Sequence, residues 1–398
     1  MSAVSATPAA SSINRNVQNT PQLFIGLMSG TSLDGVDAVL ATSPSPNSGL
    51  QVLHHHHQPF SSALRQNLLD LNTPGPDELH RAALAANAIS QAYAQLVHSV
   101  LARAACDAAA VRAIGAHGQT VRHRPGEFDG KGYTIQLING ALLAELTGID
   151  VVCDFRSRDV AAGGQGAPLV PAFHAAAFAV TGLDRAVLNI GGIANLTLLG
   201  ANGTVTGFDC GPGNALLDLW CDRHLQQAFD AGGAWAASGQ VNTNLLQLLM
   251  REPFLLKAPP KSTGRDLFNA AWLDAILGRF LGQLASGPHS TAADIQATLL
   301  DFTASAAADA LIRQMPAVQS LLVCGGGVLN DHLMAVLRRK LPTVDIESTE
   351  TAGLPPMQVE ATAFAWLARA YVQQQPGNCA AVTGAAGPRR LGVMHPAR

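Results

Sequence analysis

The chain has 398 residues, more than one hydrophobic core usually organises, which predicts two domains with a cleft between them. Apolar residues make up 48% of the sequence and charged residues 13%, a composition that indicates a compact globular protein and excludes a disordered chain. The formal net charge of -3, without a basic cluster interleaved with aromatic residues, excludes the usual nucleic-acid partner and favours small molecules.

The first twenty residues are rich in serine, alanine and asparagine and lack the apolar stretch of a secretory signal, so residues 1–20 are expected to form a disordered tail. No later run is long and apolar enough to predict a membrane span. The 6 cysteines form no C-x-x-C pair, which is typical of free thiols in a reducing compartment. Together these features predict a cytoplasmic protein without a membrane partner.

The first half of the chain alternates short apolar strands with turns and helices. Residues 23–27 and 36–41 are predicted to be the two strands of a hairpin, joined by the polar turn GTSLDG. Residues 60–107 have a helical pattern that the prolines of TPGPDE interrupt, after which Asp77 is expected to cap the next helix. Further strands are predicted in VRAIGA, YTIQLI and IDVVCDF.

From Arg185 the pattern starts again. Apolar strands run into glycine turns in AVLNIGG, VTGFDCGPGN and LLVCGGG, and a long helix is predicted over residues 291–315. Strands that end in glycine turns, repeated in two halves with helices between them, indicate two α/β domains packed around a cleft.

Three of these glycine turns, GTSLDG, NIGG and CGGG, are candidates for a phosphate site. Glycine lets backbone N–H groups approach an anion closely, and consecutive amides in such turns form concave anion sites. The hydroxyls of Ser29, Thr31 and Ser32 add donors, and Asp34 and Asp37 offer the oxygen ligands that Mg²⁺ prefers. A turn rich in turn-forming residues is the alternative for GTSLDG alone.

Neither G-x-x-x-x-G-K-[ST] nor a strand-linked G-x-G-x-x-G occurs in the sequence, which argues against a P-loop and a dinucleotide-binding fold. One nucleotide gripped between two domains would use all three glycine turns.

The motifs GLMSGTSLDGVD, HGQT, GGQGAPLVPAFH, NIGG, FDCGPGN, KSTGR and VCGGG resemble those of the anhydro-N-acetylmuramic acid kinase family, within the actin/hexokinase-like ATPase superfamily. The resemblance extends from Leu23 to the end of the chain. It implies an α/β, two-domain actin-like ATPase (ribonuclease H-like) fold with an interdomain cleft. We expect domain I to comprise residues 21–160 with about 373–398, and domain II to comprise residues 161–372.

In this family, water opens the 1,6-anhydro bridge of the sugar while the freed O6 takes the γ-phosphate of ATP. The products are N-acetylmuramate 6-phosphate and ADP, and the reaction belongs to peptidoglycan recycling. The resemblance thus implies ATP with Mg²⁺, Asp209 as the general base, and a homodimer. The implied nucleotide contacts are Gly30, Thr31, Ser32, Leu33, Asp34, Gly35, Val36 and Asp37 in the first phosphate loop, Asn189, Gly191 and Gly192 in the second, and Gly325, Gly326 and Gly327 beside the adenosine.

Asp209 fits the role of base on chemical grounds as well. A carboxylate at the end of a strand, followed at once by a glycine turn, would stand in the cleft close enough to accept the proton of the attacking water. Asp154 and Asp159 are the rivals, with salt bridges to Arg156 and Arg158 as their structural alternative.

Other polar residues are candidates for contacts with the sugar. The loop after a strand carries short polar groups that suit sugar hydroxyls and an N-acetyl group, namely His117, Gln119 and Thr120. Glu360 either complements the dipole of a helix or, as the resemblance implies, contacts the substrate. Lys261 and Arg265 are candidates for a phosphate or the sugar carboxylate, with a solvated surface position as the alternative.

The run HHHH at residues 54–57 suggests a metal site, but alternate residues of a strand face opposite ways and no second cluster has ligand spacing. A solvated strand or loop is therefore expected. Two positions depart from the family pattern. Asn139 precedes Gly140 where the reverse order is expected, and Asn189 stands where many relatives in the superfamily carry aspartate, which leaves a metal more dependent on the first loop or on water.

Two other functions stay open. A sugar kinase of the same fold would phosphorylate a free hydroxyl of an amino sugar or hexose. An ATP-driven binding module would hydrolyse ATP only to change shape, and would need a DNA-binding or peptide-binding domain for which we expect no room in the chain.

Overall fold

A computed structural model describes residues 21–30, 33–45, 49–264, 267–283 and 290–398. Several residues named above lie outside these ranges: the predicted tail at 1–20, Thr31 and Ser32 of the first loop, and Arg265.

The strands form two large sheets and one small one. They are β1 (Gln22–Met28), β2 (Gly35–Ser43), β3 (Gln51–Pro59), β4 (Val111–Ala116), β5 (Gln119–Pro125), β6 (Gly132–Leu137), β7 (Val151–Cys153), β8 (Arg185–Ile190), β9 (Ile193–Leu199), β10 (Val205–Pro212), β11 (Ser320–Cys324), β12 (Asp345–Ser348) and β13 (Val393–His395).

Helices cover both large sheets. They are α1 (Ser62–Asp70), α2 (Glu78–Arg103), α3 (Gly140–Thr147), α4 (Ser157–Ala161), α5 (Val170–Phe178), α6 (Ala215–Leu225), α7 (Ala234–Ser238), α8 (Thr243–Leu249), α9 (Pro253–Leu256), α10 (Ala270–Gln283), α11 (Ala292–Gln314), α12 (Asp331–Lys340), α13 (Val359–Val372) and α14 (Ala380–Thr383). Within the described ranges, none combines the length and the apolar character that crossing a membrane requires.

The two large sheets share one strand order. In the first sheet, β1, β2 and β3 form an antiparallel meander, and β4 and β7 extend it in parallel on the other side of β1. In the second sheet, β8, β9 and β10 form the meander, and β11 and β12 extend it in parallel on the other side of β8. This repeated order is that of two ribonuclease H-like units, so the predicted α/β, actin-like fold is confirmed.

Two further strand pairings complete the topology. β13 adds to the first sheet antiparallel to β7, so that a segment near the C-terminus returns to the first half of the chain. β5 and β6 form a separate antiparallel hairpin that continues from the predicted sugar-binding loop.

The helix α13 lies between the two large sheets. Its residues Ala361, Phe364 and Ala365 share an apolar core with the first sheet, while Val359 and Ala363 share another with the second. The predicted limits placed this helix in domain II, whereas its packing joins it to both halves. We therefore keep the two-domain division as a proposal, with α13 as the element that the domains share.

Paired glycines let α13 lie directly on the first sheet. Gly26 of β1 and Gly115 of β4 are directly opposite each other in the parallel ladder. A Cβ atom at Gly26 would overlap the carbonyl oxygen of Ala361, and one at Gly115 would overlap that of Phe364. Only glycine permits so close an approach of a helix backbone to a sheet.

Asp77 precedes α2 as predicted, but the prediction that it caps this helix is wrong. Its backbone is left-handed, with φ of 52°, and its side chain makes no capping hydrogen bond. Side-chain capping requires an extended backbone at this position, so the short turn before α2 has removed the geometry that capping needs.

The histidine of the GGQGAPLVPAFH motif is a core residue. His174 lies in α5 and is buried, with Nδ1 at 2.8 Å from the hydroxyl oxygen of Thr197 and the rings of Phe173 and Phe178 beside it. Burial lowers the pKa of His174 to about 3, so the imidazole is neutral in the folded protein.

We predict that Gly115→Ala lowers the free energy of unfolding by about 1–3 kcal/mol, because the new methyl group forces α13 away from the sheet. Gly278→Ala in α10 is the matched control, since nothing lies within 4 Å of its added Cβ atom. The control is expected to gain about 0.5–1 kcal/mol from the better helix propensity of alanine. Urea unfolding measures both, and equal changes in the two variants would contradict the packing argument.

We also predict that His174 makes the fold sensitive to acid. Its pKa is depressed in the folded state, so its contribution to stability is fully present above the unfolded pKa of about 6.5 and is lost as the pH falls toward about 3. The loss reaches about 1.4 kcal/mol per pH unit. His174→Asn should lose less unfolding free energy than wild type between pH 7.5 and pH 5 in urea unfolding, and an identical loss would refute this role.

Candidate active site

The first glycine turn is anchored by buried polar contacts beneath it. The hydroxyl of Ser29 donates to the carbonyl of Gly118 at 3.0 Å and lies 2.8 Å from the hydroxyl of Tyr93, which therefore acts as donor to it. Burial raises the pKa of Tyr93 far above its usual value, so this phenol stays protonated. The turn is thus fixed from the side of α2.

Within this turn, apolar side chains point into the core. Leu33 and Val36 are buried in the core that includes α2, so their predicted contacts with a nucleotide are open only to their backbone atoms. Leu33 is left-handed, with φ of 57°, and its N–H donates to the carbonyl of Gly30 at 3.3 Å. This hydrogen bond brings the N–H of Leu33 back to Gly30, a close return of the chain that suits an anion-binding turn.

The HGQT loop packs against that turn. Nδ1 of His117 lies 3.2 Å from the carbonyl oxygen of Ser29, so this nitrogen carries the proton. Burial, and then the charge of Arg156, lower the pKa of His117 to about 3. The side chain of Gln119 donates to the carbonyl of Gly30 at 3.1 Å, and its buried Oε1 has no protein partner among the described residues. Thr120 accepts a hydrogen bond from Gln136 at 3.3 Å.

An arginine that sequence reasoning named only as a salt-bridge partner lies at the centre of the site. Arg156 donates through Nε and Nη2 to Nε2 of His117, at 3.2 and 3.0 Å, and through Nη1 to the carbonyl of Gly166 at 2.7 Å. Its charge lowers the pKa of the carboxyls of Asp209 and Glu360, so it lies close to both. The sequence feature that could have identified Arg156 as a site residue is its position shortly after a buried strand.

Neither rival for the base is placed for that role. Asp159 is fully buried, and its Oδ1 accepts hydrogen bonds from Asn378 at 2.7 Å and from Thr383 at 2.9 Å. Its Oδ2 accepts from the N–H of Gly166 at 2.8 Å. Asp159 thus ties the loop that holds Arg156 to the C-terminal segment, and Asp154 is exposed on the same loop.

Asp209 lies within β10 and is partly exposed; the strand continues to Pro212, after a register irregularity between Asp209 and Gly211, so this aspartate does not end the strand as predicted. Its Oδ2 accepts a hydrogen bond from the N–H of Thr263 at 2.9 Å. Burial raises the pKa of Asp209 to about 7, while the hydrogen bond from Thr263 and the charges of Arg156 and Lys261 oppose the rise. A carboxyl with a pKa near neutrality is well suited to accept and release a proton.

Lys261 was predicted either to bind a phosphate or the sugar carboxylate or to lie solvated at the surface, and both predictions are wrong. Its ammonium group is buried and donates to the carbonyls of Phe254 and Leu255, each at 3.1 Å, and it lies 4.7 Å from the centre of the Phe254 ring. Its own carbonyl accepts the N–H of Asp209 at 3.2 Å. Lys261 therefore supports the strand that carries Asp209 through its main chain. Its ammonium group is bound by backbone carbonyls instead of the expected anion.

Glu360 is where the glycine turns meet. It opens α13 and accepts a hydrogen bond from the side chain of Asn189 at 3.4 Å. Burial and the nearby charge of Asp37 raise the pKa of Glu360, and Arg156 opposes that rise. Gly325, with φ of 79°, lies against Asn189, because a Cβ atom there would overlap the amide oxygen. Glu360 thus contacts the second turn directly and feels the charge of Asp37 from the first, while the third turn packs on Asn189.

The second turn is joined by hydrogen bonds to the turn of FDCGPGN, and the third turn packs against both of them. The carbonyl of Gly191 accepts the N–H of Asn214 at 2.8 Å, and that of Gly192 accepts the N–H of Gly213 at 3.0 Å. A Cβ atom at Gly326 would approach only the side chain of Asn214, at 3.7 Å, so this glycine borders open space. Gly327 packs closely on Ile190, the last residue of β8.

The HHHH run was predicted to be a solvated strand or loop, and it forms part of β3. Two of its histidines, however, contact Asp37 of the first phosphate loop. His55 Nε2 and His57 Nδ1 lie 2.9 and 3.2 Å from the same carboxylate oxygen of Asp37. Over the described ranges, no group of three histidine, cysteine or acidic side chains is arranged to hold a metal by itself.

The unusual order at Asn139 and Gly140 has a structural explanation. The side chain of Asn139 caps α3 by accepting the N–H of Leu142 at 3.0 Å, and it donates to Asn87 at 2.8 Å. The asparagine therefore serves the helix that follows the β5–β6 hairpin.

Comparison with known proteins identifies the family. The family model described as anhydro-N-acetylmuramic acid kinase matches residues 22–397. The anhydro-N-acetylmuramic acid kinase of Variovorax paradoxus is 58% identical and the match covers 94% of this chain and 99% of the relative. That of Cupriavidus metallidurans is 54% identical, with 94% and 98% covered.

Among solved structures, the activator of 2-hydroxyisocaproyl-CoA dehydratase from Clostridium difficile with bound ADPNP is 12% identical, covers 89% of this chain and 96% of that chain, and has a TM-score of 0.43. The family assignment comes instead from the family model and from the sequence relatives. On these grounds the chain belongs to the anhydro-N-acetylmuramic acid kinase family.

Proposed function

We propose that this kinase uses ATP to open the 1,6-anhydro bridge of anhydro-N-acetylmuramic acid with water and to phosphorylate O6. The products are N-acetylmuramate 6-phosphate and ADP, and the reaction serves peptidoglycan recycling in the cytoplasm. The observation that carries the proposal is that Arg156 interacts electrostatically with both Asp209 and Glu360, and that Glu360 is hydrogen-bonded to Asn189 of the second glycine turn.

Asp209 is the proposed base. The water oxygen bonds to the anomeric carbon, the bond from that carbon to O6 breaks, and the proton of the water passes to Asp209. O6 attacks the γ-phosphorus, and the bond to the β-phosphate oxygen breaks to release ADP. A pKa of about 7 lets Asp209 accept this proton at neutral pH and return it to solvent.

Arg156 and His117 orient the reacting groups. An arginine has five N–H donors, and the contacts with His117 and Gly166 occupy three of them. The remaining donors are available for oxygen atoms of the sugar or the phosphate. Because the His117 ring is neutral, it holds the guanidinium without competing for anionic oxygens.

Buried polar atoms without protein partners support the assignment of ligands. Among the described residues these atoms include Oε1 of Gln119 and Oδ1 of Asn189. Buried polar groups nearly always have a partner, so a bound sugar or nucleotide accounts for both. His117, Gln119, Thr120 and Glu360 are the proposed sugar contacts, and the three turns are the proposed ATP contacts.

The first loop also fits Mg²⁺. The charges of Asp34 and Asp37 both raise the pKa of Glu360, so acidic groups crowd this side of the site and a cation would relieve their repulsion. Mg²⁺ needs only one or two carboxylates when water and phosphates complete its shell, which agrees with the lack of a protein-only cage in the described ranges. When bound, the ion would neutralise phosphate charge.

Product analysis in ¹⁸O water tests the proposal. With ATP and the anhydro sugar, wild type should form N-acetylmuramate 6-phosphate labelled at the anomeric oxygen. Asp209→Asn should bind ATP by calorimetry yet lose about 10²–10⁴-fold in kcat. Near wild-type kcat in Asp209→Asn would remove this residue from the base role. Unlabelled product, or activity only on N-acetylglucosamine or glucose, would favour the kinase that acts on a free hydroxyl.

The acidic limb of the pH–rate profile should report Asp209. Its carboxyl must be deprotonated to act as base, so kcat/KM, which reports the free enzyme, is expected to rise with pH through about 7. Arg156→Gln removes a charge that lowers this pKa, and the limb should move to higher pH by about one unit. Arg158→Gln is the control, since that side chain is exposed, and its limb should stay in place. A limb that does not move in Arg156→Gln would contradict the arrangement.

The homodimer remains a prediction. Native mass spectrometry of the full chain is its direct test.

A further inference from the structure

The strand β3 carries two histidines that converge on one oxygen of the first phosphate loop. Oδ1 of Asp37 lies 2.9 Å from Nε2 of His55 and 3.2 Å from Nδ1 of His57. Asp37 can only accept, so each of these nitrogens carries a proton and each ring donates. Both histidines contact Oδ1 of Asp37, and neither contacts Oδ2.

The strand register explains the convergence. Asp37 pairs with His57 across the ladder, and Val39, two residues on, pairs with His55. Side chains two residues apart share a face, so both histidines and Asp37 lie on the face that carries Val39. Val39 packs in the core that includes α13, so this is the face turned toward the second sheet.

The same strand holds the backbone of the loop. The N–H of Phe60, just after β3, donates to the carbonyl of Asp34 at 3.2 Å. Gly35 admits β3 at close range, because a Cβ atom there would overlap the carbonyl of Gln58 and come within 2.9 Å of the His57 ring. Gly35 therefore lets β3 pack closely against the loop. The strand holds the main chain of the loop at Asp34 and the carboxylate of Asp37.

Asp37 faces the site as well as the strand. Its charge acts on Glu360, which opens α13 between the sheets. The side chain of Asp37 is about one-quarter exposed, with His55 at 22% and His57 at 38% exposure, so the cluster is partly open to solvent. A carboxylate held through one oxygen at the edge of a cleft presents its other oxygen in a fixed direction.

We propose that His55 and His57 are positioning residues that orient Asp37 toward the magnesium complex of ATP. This inference rests on the proposed function. Hydrogen-bond partners behind a carboxylate ligand fix its orientation and strengthen metal binding, whether the carboxylate touches the ion or a water molecule bound to it. The HHHH run would then be divided by the pleat of β3, with two histidines serving the site and two facing the other way.

Four variants test this division of labour. The double variant His55→Val with His57→Val removes both donors and keeps strand propensity. The double variant His55→Gln with His57→Asn is the rescue, because its amide nitrogens stand near the positions of Nε2 and Nδ1. The double variant His54→Val with His56→Val is the matched control on the opposite face. The single variant His55→Val provides a milder change if the first double variant folds poorly.

Calorimetric titration with ATP, in Mg²⁺ and again with Mg²⁺ chelated, is the readout, followed by kcat and KM. In the valine double variant, the affinity for ATP in Mg²⁺ should fall by about 10-fold or more, and the affinity without Mg²⁺ should change little. KM for ATP should rise more than kcat falls. The single variant should show part of the loss, the amide variant should recover most of it, and the control should match wild type.

Other results would overturn the inference. A valine double variant with the wild-type response to Mg²⁺ would exclude the positioning role, as would equal losses in the valine and amide variants or in the control. Failure of the wild-type chain to bind ATP at all would instead refute the proposed function, and with it this role of the two histidines.

Discussion

The close approach of α13 to the first sheet is the constraint on which the site depends. Two glycines that face each other in neighbouring strands let the helix backbone touch the sheet, which no side chain would allow. The start of the helix then lies between the two sheets, where Glu360 accepts a hydrogen bond from Asn189 of the second sheet. Each ribonuclease H-like unit contributes one turn or more to this meeting point, and neither unit forms it alone.

Charge balance around Arg156 follows from that placement. The guanidinium comes from the first half of the chain and lies close to two carboxyls of the second half, Asp209 and Glu360, and a neutral imidazole holds it from behind. Burial raises the pKa of both carboxyls; the hydrogen bond from Thr263 and the charge of Arg156 oppose the rise at Asp209, and Arg156 and Asn189 oppose it at Glu360. The site therefore combines partial burial, which strengthens electrostatic interactions, with an aspartate, Asp209, that ionises near neutral pH.

Local patterns predicted the strands and the glycine turns, because hairpins, strand ends and tight turns are encoded within about ten residues. The roles of Arg156, Asp159 and His55 were not predicted, since each depends on a distant partner. Arg156 meets His117 across 39 residues and Asp159 meets Asn378 across 219 residues. Lys261 was misjudged for a related reason: charge alone does not reveal that backbone carbonyls will accept a buried ammonium group.

The ties of Asp159 to Asn378 and Thr383 have a consequence for biosynthesis. A ribosome makes Asp159 long before these two partners, and until they emerge the buried carboxylate has no side-chain donors to satisfy it. The loop that carries Arg156 can therefore gain these two side-chain hydrogen bonds only after residue 383 has been made. The full set of contacts around an arginine in the middle of the chain thus depends on residues close to its C-terminus.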